Sequence, residues 1–372
     1  MQSVNNKILI TVPASTARGG ITNYYHVLRE EFPPEIEYFE RGSRNWPIRK
    51  GFFFEIIRAF KDFKSFQVRL RKRDIILVQT STSLGFNTTI RDGLFIRYAQ
   101  SLGLKTIVFF RGWDDVAVRN VEDKYKRLFK YLFFGCNCMI VLTQHTKECL
   151  LRWGYKGKII LETTLVDRNL INNIDYKVIL SKNKLAQQNK IISLLFLSRI
   201  EKSKGIYELI NAVKSLYNEE KETKFRLHIC GDGRELESIK NKVFRESIPD
   251  ITISGFLSGE SKKNAYLEAD VFVFPSWNEG MPNALLEAMG FGLPVITTRV
   301  GGIKDFFEDG RNGYFIDINN PNDITDKIRK LIKNQDDMKA MSLYNFEMAN
   351  RLFRSDIVAE RIKKVFKMVI NE

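Results

Sequence analysis

The chain has 372 residues, a formal net charge of +15 and 44% hydrophobic content. That length suits two domains of roughly 100–200 residues each, and no apolar run reaches the roughly 18 residues of a membrane-spanning helix. The four cysteines, Cys136, Cys138, Cys149 and Cys230, show neither a disulfide framework nor zinc spacing, and the N-terminus leads directly into an apolar strand. A reduced cytoplasmic protein without a bound metal is therefore expected.

In chain order, apolar runs predict strands at Lys7–Val12, Ile36–Phe39, Ile75–Gln79, Thr106–Phe110, Met139–Leu142 and Lys158–Leu161. Helical patterns fall between them at Thr22–Glu31, Ile56–Phe66, Phe95–Leu102 and Thr146–Arg152. Cys136 and Cys138 are expected to alternate on one strand, facing the same way. Short continuous apolar strands suit a parallel sheet covered on both faces. A polar Asn- and Lys-rich stretch then reads as a linker over residues 171–190. A second alternation follows: strands at Ile191–Ser198, Phe225–Cys230, Asp250–Ser254, Val271–Phe274 and Pro294–Thr297, with helices at Gly205–Tyr217, Arg234–Glu246 and Lys262–Ala269. From Asp323 onward the chain is helical. This order predicts two doubly wound α/β domains, residues 1–170 and 191–349, with residues 350–372 packing back on the first. Residues 1–190 hold 32 Lys/Arg against 17 Asp/Glu, whereas residues 191–372 hold 27 of each, so the charge excess belongs to the first half.

Three candidate loops follow predicted strands of the second domain and open on one sheet edge, where open α/β sheets take ligands. Arg199 and Lys204 offer a planar fork and a point charge to a pyrophosphate. Gly231-Asp232-Gly233 lets backbone approach a ligand. Glu279-Gly280-Met281-Pro282-Asn283 leads into a helix carrying Glu287, whose free N–H groups suit a phosphate. Each piece alone has an ordinary alternative: a solvated basic loop, a tight turn, a helix-surface glutamate. Their order and shared edge argue for a site.

Ser198-Arg199-Ile200-Glu201-Lys202-Ser203-Lys204-Gly205, Gly231-Asp232-Gly233, Glu279-Gly280-Met281-Pro282 and Glu287-Ala288 together resemble the retaining glycosyltransferases of family 4. Val300-Gly301-Gly302-Ile303, Asp309-Gly310 and Asn312-Gly313 continue the pattern. The resemblance implies the GT-B fold: two Rossmann-like domains facing a central cleft, with a C-terminal helix crossing back to the first. It further implies that Arg199 and Lys204 hold the donor diphosphate, that Glu287 bonds the ribose and that Glu279 contacts the donor sugar. Backbone from Gly280 to Asn283 would approach the phosphates, Phe256 would lie near the base, and Gly19 and Gly20 would close from the first domain. Arg111 stands where many relatives carry a histidine. It could bond the sugar or the leaving phosphate, or form a loop salt bridge with Asp114 or Asp115.

The activity so implied is transfer of a hexosyl unit, with retention, from a nucleotide-sugar to a glycan or polyprenyl-diphosphate-linked acceptor in cell-surface polysaccharide synthesis. UDP is preferred over GDP as the nucleotide. The leaving phosphate would take the acceptor's proton on the same face, with Glu279 as covalent nucleophile the alternative. The nucleotide-sugar is a substrate, and no cofactor or metal is expected. Phenylalanines and basic residues mingle between Arg49 and Arg73 and again between Lys124 and Phe134. Phe53, Ile56, Ile57 and Phe60 lie at helical spacing. They read either as a core-facing stripe with a solvated rim or as a surface docking on anionic lipid at the inner face of the cytoplasmic membrane. Two further readings stay open: a nucleotide-sugar epimerase on the same fold, which lacks a matching histidine here, and a basic nucleic-acid-binding protein, for which no recognition motif is present.

Overall fold

The computed structural model describes residues 6–17, 19–42, 52–113, 115–180, 191–220 and 224–372. Two compact units result: Met1–Thr164 with Ser355–Glu372, and Leu165–Arg354. The division falls at 164 and 354 rather than at 170 and 349. Val166 and Ile171 pack against Gly290, and Val166 pairs with Arg354 through a bridge, so the start of the expected linker belongs to the second unit. Residues 181–190 lie outside the described residues.

Unit 1 is a six-stranded parallel sheet, β1 (Lys7–Pro13), β2 (Ile36–Arg41), β3 (Ile75–Ser83), β4 (Lys105–Gly112), β5 (Cys138–Val141) and β6 (Lys158–Leu161), in the order β2-β1-β3-β4-β5-β6. Its crossovers include α1 (Gly20–Glu31), α2 (Phe52–Leu70), α3 (Phe86–Ser101), α4 (Asp115–Asn120), α5 (Lys126–Phe133) and α6 (Gln144–Arg152). Thr143 caps α6, its hydroxyl accepting from the Thr146 amide at 3.0 Å, the usual remedy for an open first turn. Helix α3 begins nine residues before the predicted Phe95. Gly93 hid that start; a Cβ there would stand 2.7 Å from Leu132 of α5, so this glycine serves close helix packing, not a turn. Cys136 precedes β5 instead of sharing it with Cys138, and all four cysteines are free and buried.

Unit 2 repeats the plan with β7 (Ile191–Leu197), β8 (Lys224–Cys230), β9 (Ile251–Gly255), β10 (Val271–Phe274), β11 (Val295–Thr298) and β12 (Gly313–Ile316), ordered β12-β11-β10-β7-β8-β9 and parallel throughout. Strand β12 is absent from the sequence reading. The helices are α7 (Ile206–Glu219), α8 (Leu236–Arg245), α9 (Gly259–Glu268), α10 (Asn283–Gly290), α11 (Ile303–Phe306), α12 (Pro321–Lys333) and α13 (Gln335–Met348). Val271, Phe272, Val273 and Phe274 of β10 are all buried, as a strand covered on both faces requires.

The last helix, α14 (Ser355–Ile370), returns to unit 1. It buries Val358, Ala359, Ile362, Val365, Phe366 and Val369 along one stripe. Arg361 Nε donates to both oxygens of buried Glu162 at 3.1 Å, and the Ser355 hydroxyl reaches Glu31 at 2.7 Å.

Candidate functional site

The carboxyl ends of β7, β8 and β10 carry the predicted loops, on either side of the point where the unit 2 sheet reverses direction between β7 and β10. Backbone bonds lace these loops together. The Ile200 amide donates to Asp232 O at 2.8 Å, Trp277 N to Ser203 O at 2.8 Å, and Gly302 N to Gly280 O at 2.6 Å. This changes the reason for the glycines. A Cβ on Gly231 would stand 1.7 Å from Ser198 O, and one on Gly233 would stand 2.1 Å from Ile200 O. Their missing side chains let loop approach loop, where the sequence suggested approach to a ligand. Gly301 likewise has φ +52° and abuts the Glu279 carbonyl.

Charges line this frame in matched pairs. Lys204 ends a short 3₁₀ turn, Lys202–Lys204, and its Nζ lies 2.5 Å from Glu279 Oε1, with side chains only 10% and 12% exposed. Glu287, buried in α10, accepts from Lys262 Nζ at 2.7 Å and from the Tyr266 hydroxyl at 2.9 Å. Burial, then the Glu287 charge, holds the Tyr266 phenol well above its ordinary pKa, so it stays a donor. Arg199 does not join Lys204: its side chain is 71% exposed and forks onto Glu201 at 2.9 Å. Phe256 follows β9 and is exposed, while Met281 and Pro282 are buried. Pro282 stands just before the helix and Asn283 is its first residue. Lys262 and Tyr266 were not anticipated. They sit one turn apart on α9, and nothing local marks them as partners of Glu287.

In unit 1, Gly19 and Gly20 open α1, are exposed, and have nothing within 4 Å of where a Cβ would lie. Arg111, near the end of β4, is 9% exposed. Its guanidinium carbon lies 3.6 Å from the Tyr24 ring centroid and 4.9 Å from that of Phe109. Among the described residues it forms no ion pair. Asp115 instead faces His145 at 3.4 Å, and Asp114 lies outside the described residues.

Helix α2 turns its apolar residues opposite to the core-facing reading. Phe66 and Leu70 are buried, whereas Ile56, Ile57 and Phe60 are exposed, Phe60 by 69%. Arg49, Lys50 and the side chains of Phe52 and Phe53 lie outside the described residues. Beside the start of α3, a groove of about 490 Å³ is lined by Phe86, Val116, Lys124 and Tyr125, among others. Among the described residues no helix is long and apolar enough to cross a membrane.

Residues 179–348 match the family described as glycosyl transferases group 1. An uncharacterized glycosyltransferase of Methanocaldococcus jannaschii is 28% identical over 92% of this chain and 89% of its own length. The capsular polysaccharide biosynthesis glycosyltransferase CapM of Staphylococcus aureus is 27% identical over 62% of this chain and 58% of its own. Among solved structures, sucrose-phosphate synthase from Thermosynechococcus elongatus superposes with a TM-score of 0.76 at 16% identity, covering 98% of this chain and 100% of that one. HepE of Anabaena, solved in complex with UDP, gives 0.73 at 15% identity over 97% and 100%. The fold is GT-B.

Proposed function

We propose that this chain, whose residues 179–348 match the glycosyl transferases group 1, moves a hexosyl unit with retention from a UDP-sugar to a glycan or polyprenyl-diphosphate-linked acceptor in cell-surface polysaccharide synthesis. The observation that carries this reading is the pair of carboxylates at the unit 2 switch point, each held by a lysine: Glu279 by Lys204 and Glu287 by Lys262. A diphosphate arriving at Lys204 competes with Glu279 for the ammonium and frees that carboxylate for the sugar's hydroxyls. Lys204 then faces the charge that grows on the leaving diphosphate, and a cation fixed in place before reaction lowers the barrier most. A carboxylate offers about four lone-pair sites, so Glu287 has capacity for ribose hydroxyls beside its two present donors. As the bond from the anomeric carbon to the diphosphate oxygen breaks, the acceptor hydroxyl oxygen bonds to the oxocarbenium-like carbon on the same face and gives its proton to the leaving phosphate. Arg199, exposed and held only by Glu201 among the described residues, turns from that pair to supply a second cation at the diphosphate.

In this reading the acceptor binds unit 1. The exposed apolar face of α2 with Arg58, Lys61 and Lys64 beside it supports contact with anionic lipid. The groove lined by Phe86, Val116 and Tyr125 with Lys124 suits an isoprenoid chain ending in phosphate. The choice of UDP is supported by the neighbour solved with UDP, and the pathway by a relative named for capsular polysaccharide.

Calorimetric titration of the purified chain with UDP, GDP and ADP tests the donor assignment. Saturable UDP binding that is lost in Glu287→Ala is expected; no binding of any nucleotide would sink the donor assignment.

A further inference from the structure

A glutamate carboxyl group turns easily about its last bond, where the torsional wells are broad and roughly two-fold. Burial alone therefore does not aim one. Glu287 is buried in α10, and each of its oxygens has its own donor. Oε1 takes Lys262 Nζ at 2.7 Å, and Oε2 takes the Tyr266 hydroxyl at 2.9 Å. Donors on opposite oxygens fix the plane of the group and leave each oxygen a lone pair that they do not use.

The two donors are themselves held. Lys262 and Tyr266 stand four residues apart on α9 and so share one face of that helix. The Tyr266 ring is buried, stacked on Phe291 with centroids 5.0 Å apart and planes 15° from parallel, and Phe272 lies 6.3 Å away. Its hydroxyl also reaches the Ala284 carbonyl, at 3.1 Å, in the same helix as Glu287. A phenol has one proton for these two acceptors, and the ionised one attracts it more strongly. When a ligand hydroxyl takes up part of the carboxylate's demand, the Ala284 carbonyl is at hand for that proton, and no buried donor is orphaned. A purely structural role would require only that the buried charge be paired, and Lys262 suffices for that. Tyr266 adds a donor on the other oxygen, which supplies direction rather than charge.

We propose that Lys262 and Tyr266 are positioning residues that hold Glu287 as a two-pronged acceptor for a vicinal diol, and that Tyr266 thereby sets the ligand class: ribonucleoside diphosphates are accepted and 2′-deoxyribonucleoside diphosphates are refused. The assignment rests on the reading that Glu287 meets the donor's ribose. With the 2′-hydroxyl missing, one fixed acceptor in a buried site is left without its donor, and a site built for a hydroxyl rejects the analogue that lacks it.

Calorimetric titration of the full chain with UDP and with 2′-deoxy-UDP tests this in the wild type, Tyr266→Phe, Lys262→Arg and Lys262→Met. The wild type should bind UDP about 10–100-fold more tightly than 2′-deoxy-UDP. Tyr266→Phe keeps the ring and loses the hydroxyl. It should shrink that ratio by about tenfold, through weaker UDP binding, with 2′-deoxy-UDP less affected. Lys262→Met should shrink it as well, and Lys262→Arg, which still offers a charged donor, should restore part of it. Should Lys262→Met not fold, Tyr266→Phe carries the test. The proposal is overturned if the wild type binds both ligands equally, or if Tyr266→Phe leaves the ratio unchanged. Equal weakening of both ligands in Tyr266→Phe overturns it too, as the mark of a residue that only supports the fold. The diol is common to UDP, GDP and ADP, so GDP with 2′-deoxy-GDP, or ADP with 2′-deoxy-ADP, replaces the UDP pair if that nucleotide is the one bound. Binding of none of the three sinks the donor reading and this assignment together, whereas binding with an unchanged ratio in Tyr266→Phe sinks this assignment alone.

Discussion

The carboxyl edges of the two sheets treat charge in opposite ways. In unit 2, Lys204 and Lys262 each touch a carboxylate, at 2.5 and 2.7 Å, and glycines are pressed against carbonyls of neighbouring loops. In unit 1, Arg111 rests on aromatic rings, while Gly19 and Gly20 face open space. A paired cation is content without a ligand, so the ligand must compete for it. The Arg111 charge is accompanied by ring faces instead. The same fold thus meets its buried cations with carboxylates at one edge and with aromatic rings at the other.

Breaking the Lys204–Glu279 pair is the strongest way to erase that difference. Lys204→Ala strands a nearly buried carboxylate and should lower stability by about 2–4 kcal/mol and kcat/KM by about 10²–10³. Adding Glu279→Ala should restore most of the stability and none of the activity, because the uncompensated charge is gone and the chemistry is not recovered. Denaturant midpoints and initial rates would measure both. A single variant as stable as wild type would show that the pair is not the self-contained unit described above.

A smaller effect concerns unit 1. Ile57→Ser with Phe60→Ser removes apolar surface that is already exposed, so stability should stay within about 0.5 kcal/mol. Flotation with anionic liposomes at moderate salt should weaken by about tenfold for each side chain that enters the lipid. Flotation equal to wild type would leave the exposed face of α2 without a lipid partner.

The smallest effect belongs to His228, a half-buried residue of β8 whose ring lies 2.6 Å from the Ser254 hydroxyl. Burial holds its pKa below the ordinary 6.5. Below about pH 6.5 the unfolded chain therefore binds a proton that the folded chain does not, and stability falls as pH drops through that window. His228→Asn should flatten this part of the Tm–pH curve by less than about 1 kcal/mol; an unchanged slope would remove His228 from the account.

Much of unit 2 was legible because the relevant residues follow their strands directly: Arg199 after β7, Gly231 after β8, Glu279 close behind β10. What stayed hidden depends on contacts distant in sequence. Lys262 and Tyr266 lie 25 and 21 residues before the carboxylate they hold, and Arg199 turns outward because Glu201 is nearer to hand. Strand β12 escaped notice because four residues after a glycine carry too short a pattern. Arg111 could be named as a departure from its relatives, but its stacking on Tyr24 is set by the fold. The face of α2 was ambiguous for a plainer reason: aromatic residues occur on both sides of it, and only the packing of Phe66 against Phe95, with centroids 4.7 Å apart, says which side is inner.

Unit 1 is encoded in two pieces, because α14 is written after all of Leu165–Arg354. On a ribosome adding roughly 5–20 residues per second, the 190 residues of unit 2 take roughly 10–40 s to appear. For that interval Glu162 has been made and Arg361 has not. The first unit to begin synthesis is therefore the last to be finished, and its closing helix arrives only when the unit 2 sequence has already been made.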